Sequence, residues 1–373
     1  VPKSLWLVAA FFLGTATSCL AATVSPDDLW SGRARFVQVG DVHWPEEREG
    51  TVLDNSSWFF VANGIWYAFS RQYLTPIPQC PADHTRVVIR SSRDKGKSWS
   101  GPVPIIEPGS NGDGCAVLDG STYYDEANET WHILAQCLAT RNEGGWSLCH
   151  YSRRAPSPAG PFVADNHNPV VRNGELWSRI CEGRGKACDP ANTVDEGTPD
   201  IVQKAGGRYL ITLHGYNYKL KRSYRGVVAT PDFLRWAVDG PGLPGDAILG
   251  PADCGQWVPD CTGVGAATSL IGERHTFLVI EAMNRGLVCT TNQDWIFQIV
   301  RAPNGQWPRS GSRGWSAPNS QPLITRSHPD PNTPCALTYA RWIADGSDIY
   351  LIYEDWEPGR TVLHRRLLKL VAS

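Results

Sequence analysis

The sequence predicts an all-β chain folded as a five-bladed β-propeller in a single domain. The first observation is a short segment that recurs five times, at Glu49-Gly50-Thr51, Asp113-Gly114-Cys115, Glu196-Gly197-Thr198, Val264-Gly265-Ala266 and Leu337-Thr338-Tyr339. Intervals of 64, 83, 68 and about 73 residues separate the matching positions. They exceed a helical solenoid repeat and suit four-stranded blades with long loops. The second is an aromatic, strand-like run after each segment, beginning at Trp66, Trp131, Tyr209, Phe277 and Tyr350. The third is composition: 36 Gly, 28 Pro and 16 Trp among 373 residues, with a formal net charge of -2, fit a turn-rich all-β chain and give no nucleic-acid footprint.

In chain order, Lys3 precedes an apolar run from Leu5 to Leu13, then small residues and a cleavage site after Ala21 with Cys19 at the minus-three position. Residues 1–21 are expected to be a secretory signal peptide and 22–373 the propeller. The run is shorter than the roughly 20 apolar residues that span a bilayer. No membrane partner is expected, and the protein is expected to be secreted and monomeric. Without Cys19 ten cysteines remain, an even number that implies five disulfides in an oxidising compartment. The expected pairs include Cys181 with Cys188, Cys254 with Cys261, and Cys137 with Cys149 across a turn. No Cys-x2-Cys or matched His spacing is present, so no metal is expected. Asn55-Ser56-Ser57 and Asn128-Glu129-Thr130 are glycosylation sequons, each placed on a turn between a blade's first two strands.

The segment from Ser92 to Trp99 reads Ser-Arg-Asp-Lys-Gly-Lys-Ser-Trp. It resembles the Asp box of sialidases and other propeller glycosidases, and a degenerate copy follows at Thr230–Trp236. Its expected role is a rigid hairpin between outer strands, with Asp94 binding backbone amides and Gly96 at positive φ. Asp94 is therefore assigned to folding.

In a propeller the first strand of each blade lines the axis, so Glu49, Asp113 and Glu196 are expected to ring one pocket. Three acids without a basic partner at that register raise the pKa of at least one of them. The ends of the second strands return beside the starts of the first. They carry Arg71, His214, Tyr216, Glu281, Glu354 and Trp356, which are expected to bind substrate. Trp44 and Trp257 are further candidates for stacking on a sugar, and Arg71 for holding a uronic-acid carboxylate.

With five repeats and acids leading the first three, the chain resembles the five-bladed propeller glycosidases that include arabinanases and β-xylosidases. That resemblance implies a base from blade 1 (Glu49, a Glu where the family has Asp), an acid from blade 2 that tunes its neighbour (Asp113), and a general acid from Glu196-Gly197-Thr198-Pro199. Asp41 or Asp54 are alternatives for the base. It implies a secreted glycoside hydrolase acting on a poly- or oligosaccharide, inverting where the two carboxyls lie roughly 6.5 to 9.5 Å apart and retaining near 5 Å. No cofactor is implied beyond an ion that some relatives carry in the channel. Two other functions fit the same residues. One is a polysaccharide lyase with His214 or Tyr216 as base and Arg71 neutralising a uronate; the other is a carbohydrate-binding propeller without catalysis.

Overall fold

The computed structural model describes residues 24–47, 54–80, 83–109, 113–139, 145–181, 194–217, 222–258, 260–284, 295–318, 324, 337–356 and 362–373. The expected signal peptide, Glu49, and the Cys181–Cys188 pairing fall wholly or partly outside these residues. The chain opens with β1 (Ala34–Val42) and continues as a first meander of β2 (Asp54–Ala62), β3 (Ile65–Tyr73), β4 (Thr85–Ser92) and β5 (Val103–Ile106). The second comprises β6 (Ala116–Asp125), β7 (Thr130–Leu138), β8 (Ser147–Arg154) and β9 (Val163–Ala164). A helix, α1 (Glu175–Cys181), precedes the third: β10 (Val194–Ala205), β11 (Arg208–Asn217) and β12 (Arg222–Thr230). A hairpin of β13 (Asp239–Gly240) and β14 (Leu243–Pro244) and the turn α2 (Pro251–Cys254) lead to the fourth: β15 (Cys261–Ile271), β16 (His275–Asn284) and β17 (Trp295–Pro303). The fifth is β18 (Leu337–Asp345), β19 (Asp348–Trp356) and β20 (Leu363–Ala372). Each first strand begins within four residues of the position expected from the repeat.

Pairing within every meander is antiparallel, and β1 adds to the fifth as its outer strand by pairing with β20. Local chemistry sets the hairpins. Asn63 and Gly64 have φ of 53° and 70°, the left-handed pair that a two-residue turn between twisted strands requires. Apolar side chains on both faces of the strands bury against the neighbouring meanders. Trp58, Phe69, Trp131 and Ile133 join the first to the second; Leu134, Ile211 and Val228 join the second to the third. Val227, Leu278 and Val300 join the third to the fourth, and Phe277, Phe297, Trp342 and Leu351 the fourth to the fifth. Trp44, Trp66, Trp99 and Ile352 join the fifth back to the first. The first strands touch in the same cyclic order, β2 to β6, β10, β15, β18 and back to β2. All five line one cavity of about 280 Å³, whose walls include Phe60, Thr122, Asp200, Ser269 and Trp342.

The hairpin at Ser92–Trp99 has the expected construction. Asp94 accepts from the Ser98 amide at 2.9 Å, Gly96 sits at φ 84°, and buried Trp99 donates to the Gly96 carbonyl at 3.0 Å. Cys137–Cys149 and Cys254–Cys261 are bonded as expected. A third bond, Cys80–Cys115, joins the loop after β3 to the start of β6, 35 residues apart. Spacing alone does not reveal such a distant pair.

One sequon needs correction. Asn128 is exposed on the turn between β6 and β7, but Asn55 is a buried β2 residue whose Oδ1 accepts from Arg71 Nε at 2.8 Å. A glycan on its Nδ2 would find no room in that buried place.

Between the second and third meanders lies a chain of polar side chains. His167 and His150 share Asp165, His150 contacts His132 at 3.0 Å, and His132 reaches the Tyr209 hydroxyl, which donates to Asp125. Lys204 also binds Asp125, and Phe233 stacks on His150 with ring centroids 4.1 Å apart. Burial, and then His150, push the His132 pKa down to about 3. A histidine held neutral in the fold binds fewer protons than in the unfolded chain. Stability from this seam is therefore present above pH 6.5 and is lost as pH falls towards 3. His132→Gln is expected to flatten the melting-temperature profile between those limits, and an unchanged slope would refute the role of this pair.

Candidate functional site

The site is built from an irregularity shared by all five first strands. Pairing of each first with second strand skips two residues at an equivalent place, after Asn55, Leu118, Gly197, Val264 and Thr338. The first skipped residues are Ser56, Asp119, Thr198, Gly265 and Tyr339, and the four that carry side chains have φ between 36° and 57°. Such a bulge kinks the strand and re-aims a side chain. Opposite the residue before each bulge stand Arg71, Gln136, His214, Ala282 and Glu354. Two rows of polar groups, interrupted only at the fourth meander, thus meet where the first strands begin.

Hydrogen bonds knit the rows together. Arg71 Nη2 donates to Ser56 Oγ at 2.8 Å, Tyr339 OH donates to Asp119 Oδ2 at 3.2 Å, and Thr198 Oγ1 lies 3.0 Å from His214 Nδ1. Arg71 also senses the charges of Asp119 and Glu354. Burial opposes its charge, but these acids and the Tyr339 and Tyr73 phenols outweigh it, so its pKa lies above the ordinary arginine value. Asp119 is 4% exposed and its Oδ1 has no partner among the described residues. Burial, reinforced by the charge of Arg225, lowers the His214 pKa to about 4, so the imidazole is neutral at neutral pH.

Three acceptors fasten one meander to the next through the bulge amides. Gln136 Oε1 accepts from Thr198 N at 2.7 Å, Glu281 Oε1 from Tyr339 N at 2.6 Å, and Glu354 Oε1 from Ser57 N at 3.2 Å. Glu281 Oε2 accepts from Ala266 N as well. Burial lifts the Glu281 pKa to about 7 against those two amides, and burial raises Glu354 also. Both side chains are 2% exposed. The structure thus gathers Arg71, Glu281 and Glu354 around Asp119 and Tyr339, with the two acids engaged between meanders, and places His214 in the same row of strand ends beside Thr198.

Glu196 has a different seat. It is fully buried beneath α1, where Oε1 accepts from the Trp177 amide at 2.7 Å and Oε2 has no partner among the described residues. Burial raises its pKa to about 8, against the pull of the Trp177 and Leu176 amides. The helix fits because Gly215, opposite Glu196, has no side chain: a Cβ there would lie 2.2 Å from the Trp177 ring. Tyr216 beside it is buried, and burial followed by the Asp195 charge raises its pKa.

Several expectations are corrected. Asp113 lies four residues upstream of the place that matches Glu196, because the bulge register and not the Gly spacing aligns the repeats. Its oxygens accept from Tyr151 OH at 2.6 Å and Gly109 N at 3.1 Å, which ties it to a third strand and not to the polar rows. The counterpart of Glu196 in the first meander is Asp54, fully buried between Arg90 at 2.6 Å and Arg365 at 3.1 Å. Asp41 lies on the outer strand β1 and binds Arg366 at 2.7 Å. Neither is placed to activate water. Trp44 is sandwiched by Arg90 and Arg365, Trp257 packs in the core, and Trp356 is buried with its Nε1 3.3 Å from Thr338 Oγ1. These indoles support the packing of the meanders instead of facing a sugar. Gln136 ends a second strand like the expected residues but was given no role, and Asp119, Tyr339, Ser56 and Thr198 on the first strands were missed. The only sequence signal was a polar break in otherwise apolar first strands, as in Val117-Leu118-Asp119-Gly120.

No family model matches the chain, and no curated protein matches it in sequence. Solved structures do. The catalytic domain of the Coprinopsis cinerea GH62 α-L-arabinofuranosidase is 12% identical over 91% of this chain and 98% of its own, with a TM-score of 0.54. An exo-1,5-α-L-arabinanase from a bovine ruminal metagenomic library is 13% identical over 87% and 95%, with a TM-score of 0.53. A family 117 glycoside hydrolase of the marine bacterium Zobellia galactanivorans is 11% identical over 90% and 91%, with a TM-score of 0.53. At these identities the likeness is one of fold: a nearly all-β chain with the architecture of β-propeller glycosidases. Among the described residues no helix is long and apolar enough to cross a membrane, and no cluster of His, Cys, Asp and Glu could hold a metal ion.

Proposed function

We propose that the five meanders are the blades of one propeller domain and that the chain is a secreted, monomeric glycoside hydrolase acting on a poly- or oligosaccharide. The observation that carries the reading is Asp119: a nearly buried carboxylate with one oxygen unpartnered among the described residues, beside Arg71 and Tyr339, on a fold shared with arabinofuranosidases and arabinanases. Asp119 takes the axial place first expected of Asp113. Glu196 is the proton donor, held protonated at neutral pH by burial, and it reaches a leaving oxygen when glycan binding parts the Trp177 contact. Glu49, outside the described residues, keeps its expected role as base. Attack by water held across the ring from Glu196 inverts the anomeric centre. His214, neutral and adjacent to Thr198, accepts a sugar hydroxyl hydrogen bond.

The neutral His214, which stands in the same row of second-strand ends as Arg71, also favours a second reading, β-elimination from a uronate, in which His214 takes the α proton. Incubation with a polysaccharide panel separates the two, because elimination creates an ultraviolet-absorbing double bond and hydrolysis releases reducing sugar without one. Reducing sugar alone is expected. Asp119→Asn is expected to lower kcat by about 10²-fold or more with the fold intact. Near wild-type turnover in that variant would remove Asp119 from the chemistry.

A further inference from the structure

Tyr73 is the only exposed Phe, Trp or Tyr among the described residues, at 44%. It lies two residues beyond Arg71 on β3, hence on the same face, and the Arg71 guanidinium sits 5.3 Å from its ring centroid. One face of the phenol is therefore covered by a cation and the other is open. The chain after it, residues 74–80, is held at several points. Leu74 N donates to His84 O at 2.8 Å, His84 Nδ1 meets Thr75 O at 2.6 Å, Cys80 N donates to Ile77 O at 2.9 Å, and Cys80 is bonded to Cys115. Thr75 through Gln79 are exposed, and they include Pro76, Ile77 and Pro78. The result is an apolar ledge, fixed to two meanders, at the edge of the polar rows.

A ledge of one aromatic and one aliphatic side chain is too small for a protein partner, which needs on the order of 800 Å² per side. Its place and chemistry suit a sugar ring, whose C–H face is apolar while its hydroxyls seek polar groups. An aromatic face is electron-rich and attracts such C–H bonds, and a rigid platform loses little entropy on binding.

We propose that Tyr73, backed by the loop to Cys80, stacks on a sugar residue of the bound glycan next to the axial site, so that the substrate extends beyond a single sugar. This rests on the carbohydrate-site reading above. It also explains why the Cys80–Cys115 bond sits at the site's rim, since it fixes the ledge on which the ring depends.

The test uses the full chain with a panel of arabino-, xylo- and fructo-trisaccharides, together with their non-cleavable thio-linked analogues for equilibrium binding. Tyr73→Ala is expected to weaken analogue binding and raise KM about 3- to 10-fold with kcat nearly unchanged, and Tyr73→Phe to restore wild-type values because the ring face remains. Wild-type hydrolysis with KM unaltered in Tyr73→Ala overturns the platform and leaves the hydrolase reading standing. Binding that Tyr73→Ala weakens, in a wild type that releases no sugar, supports the platform and overturns the hydrolase. If no trisaccharide binds, both fall.

Discussion

Glu196→Gln is expected to slow hydrolysis of glycosides with poor leaving groups by about 10² to 10⁴-fold while binding is largely kept, because glutamine donates no proton to the departing oxygen. The deficit shrinks on aryl glycosides with acidic leaving groups, which depart without protonation. A variant of the base, Glu49→Gln, is expected to be slow on both, since its water is not activated. The pKa of about 8 at Glu196 adds a pH signature: activity falls as pH rises through 8 and the acid loses its proton. Stability follows the same group. Between pH 4.5 and 8 the unfolded chain has lost this proton while the folded chain retains it, so the contribution present below 4.5 declines as pH rises towards 8. Glu196→Gln abolishes that decline. Near wild-type turnover of a natural glycan by the variant would strip Glu196 of the donor role and leave it as the residue that seats α1.

The largest structural loss is expected at Asp54. Its carboxylate lies between the buried guanidiniums of Arg90 and Arg365 and accepts from Ser70 Oγ at 3.1 Å. Trp44 is held between the same two arginines, Glu46 shares the Arg90 Nη2 with Asp54, and Glu47 binds the Arg365 Nη1. The cluster fastens the segment after β1 to β2, β4 and β20. Asp54→Ala leaves two buried cations short of an acceptor, which costs about 3 to 5 kcal/mol. Denaturant unfolding at neutral pH should show a lower midpoint with an unchanged slope. A loss below about 1 kcal/mol would show that Glu46 and Glu47 alone suffice.

Much of the architecture was legible in the chain. The interval between repeats, the aromatic second strands and the turn residues located all five meanders. Two of the described disulfides followed from short spacing. Candidate residues were legible where they ride on second strands: Arg71, His214, Glu281 and Glu354 lie beside the starts of the first strands because an antiparallel return brings strand ends there. Asp113 misled because a Gly after an acid looks alike in each repeat, whereas the equivalence of positions is set by bulges that no spacing records. Asp119 was missed for the same reason. A side chain in a regular strand packs against a neighbouring meander; two unpaired residues re-aim it.

The sequence by itself determined the all-β class, the fivefold repeat and the height at which polar groups gather, because periodicity and turn chemistry act locally. Only the tertiary structure decided which acid meets which partner. Glu196 is covered by a helix that a glycine admits, Asp54 is neutralised by arginines from two meanders, Glu281 and Glu354 are bound to the next meander's amides, and Asp119 keeps an oxygen without a partner among the described residues. Burial and charge at each carboxylate depend on neighbours tens to hundreds of residues away, and those neighbours are chosen by the closing of the ring.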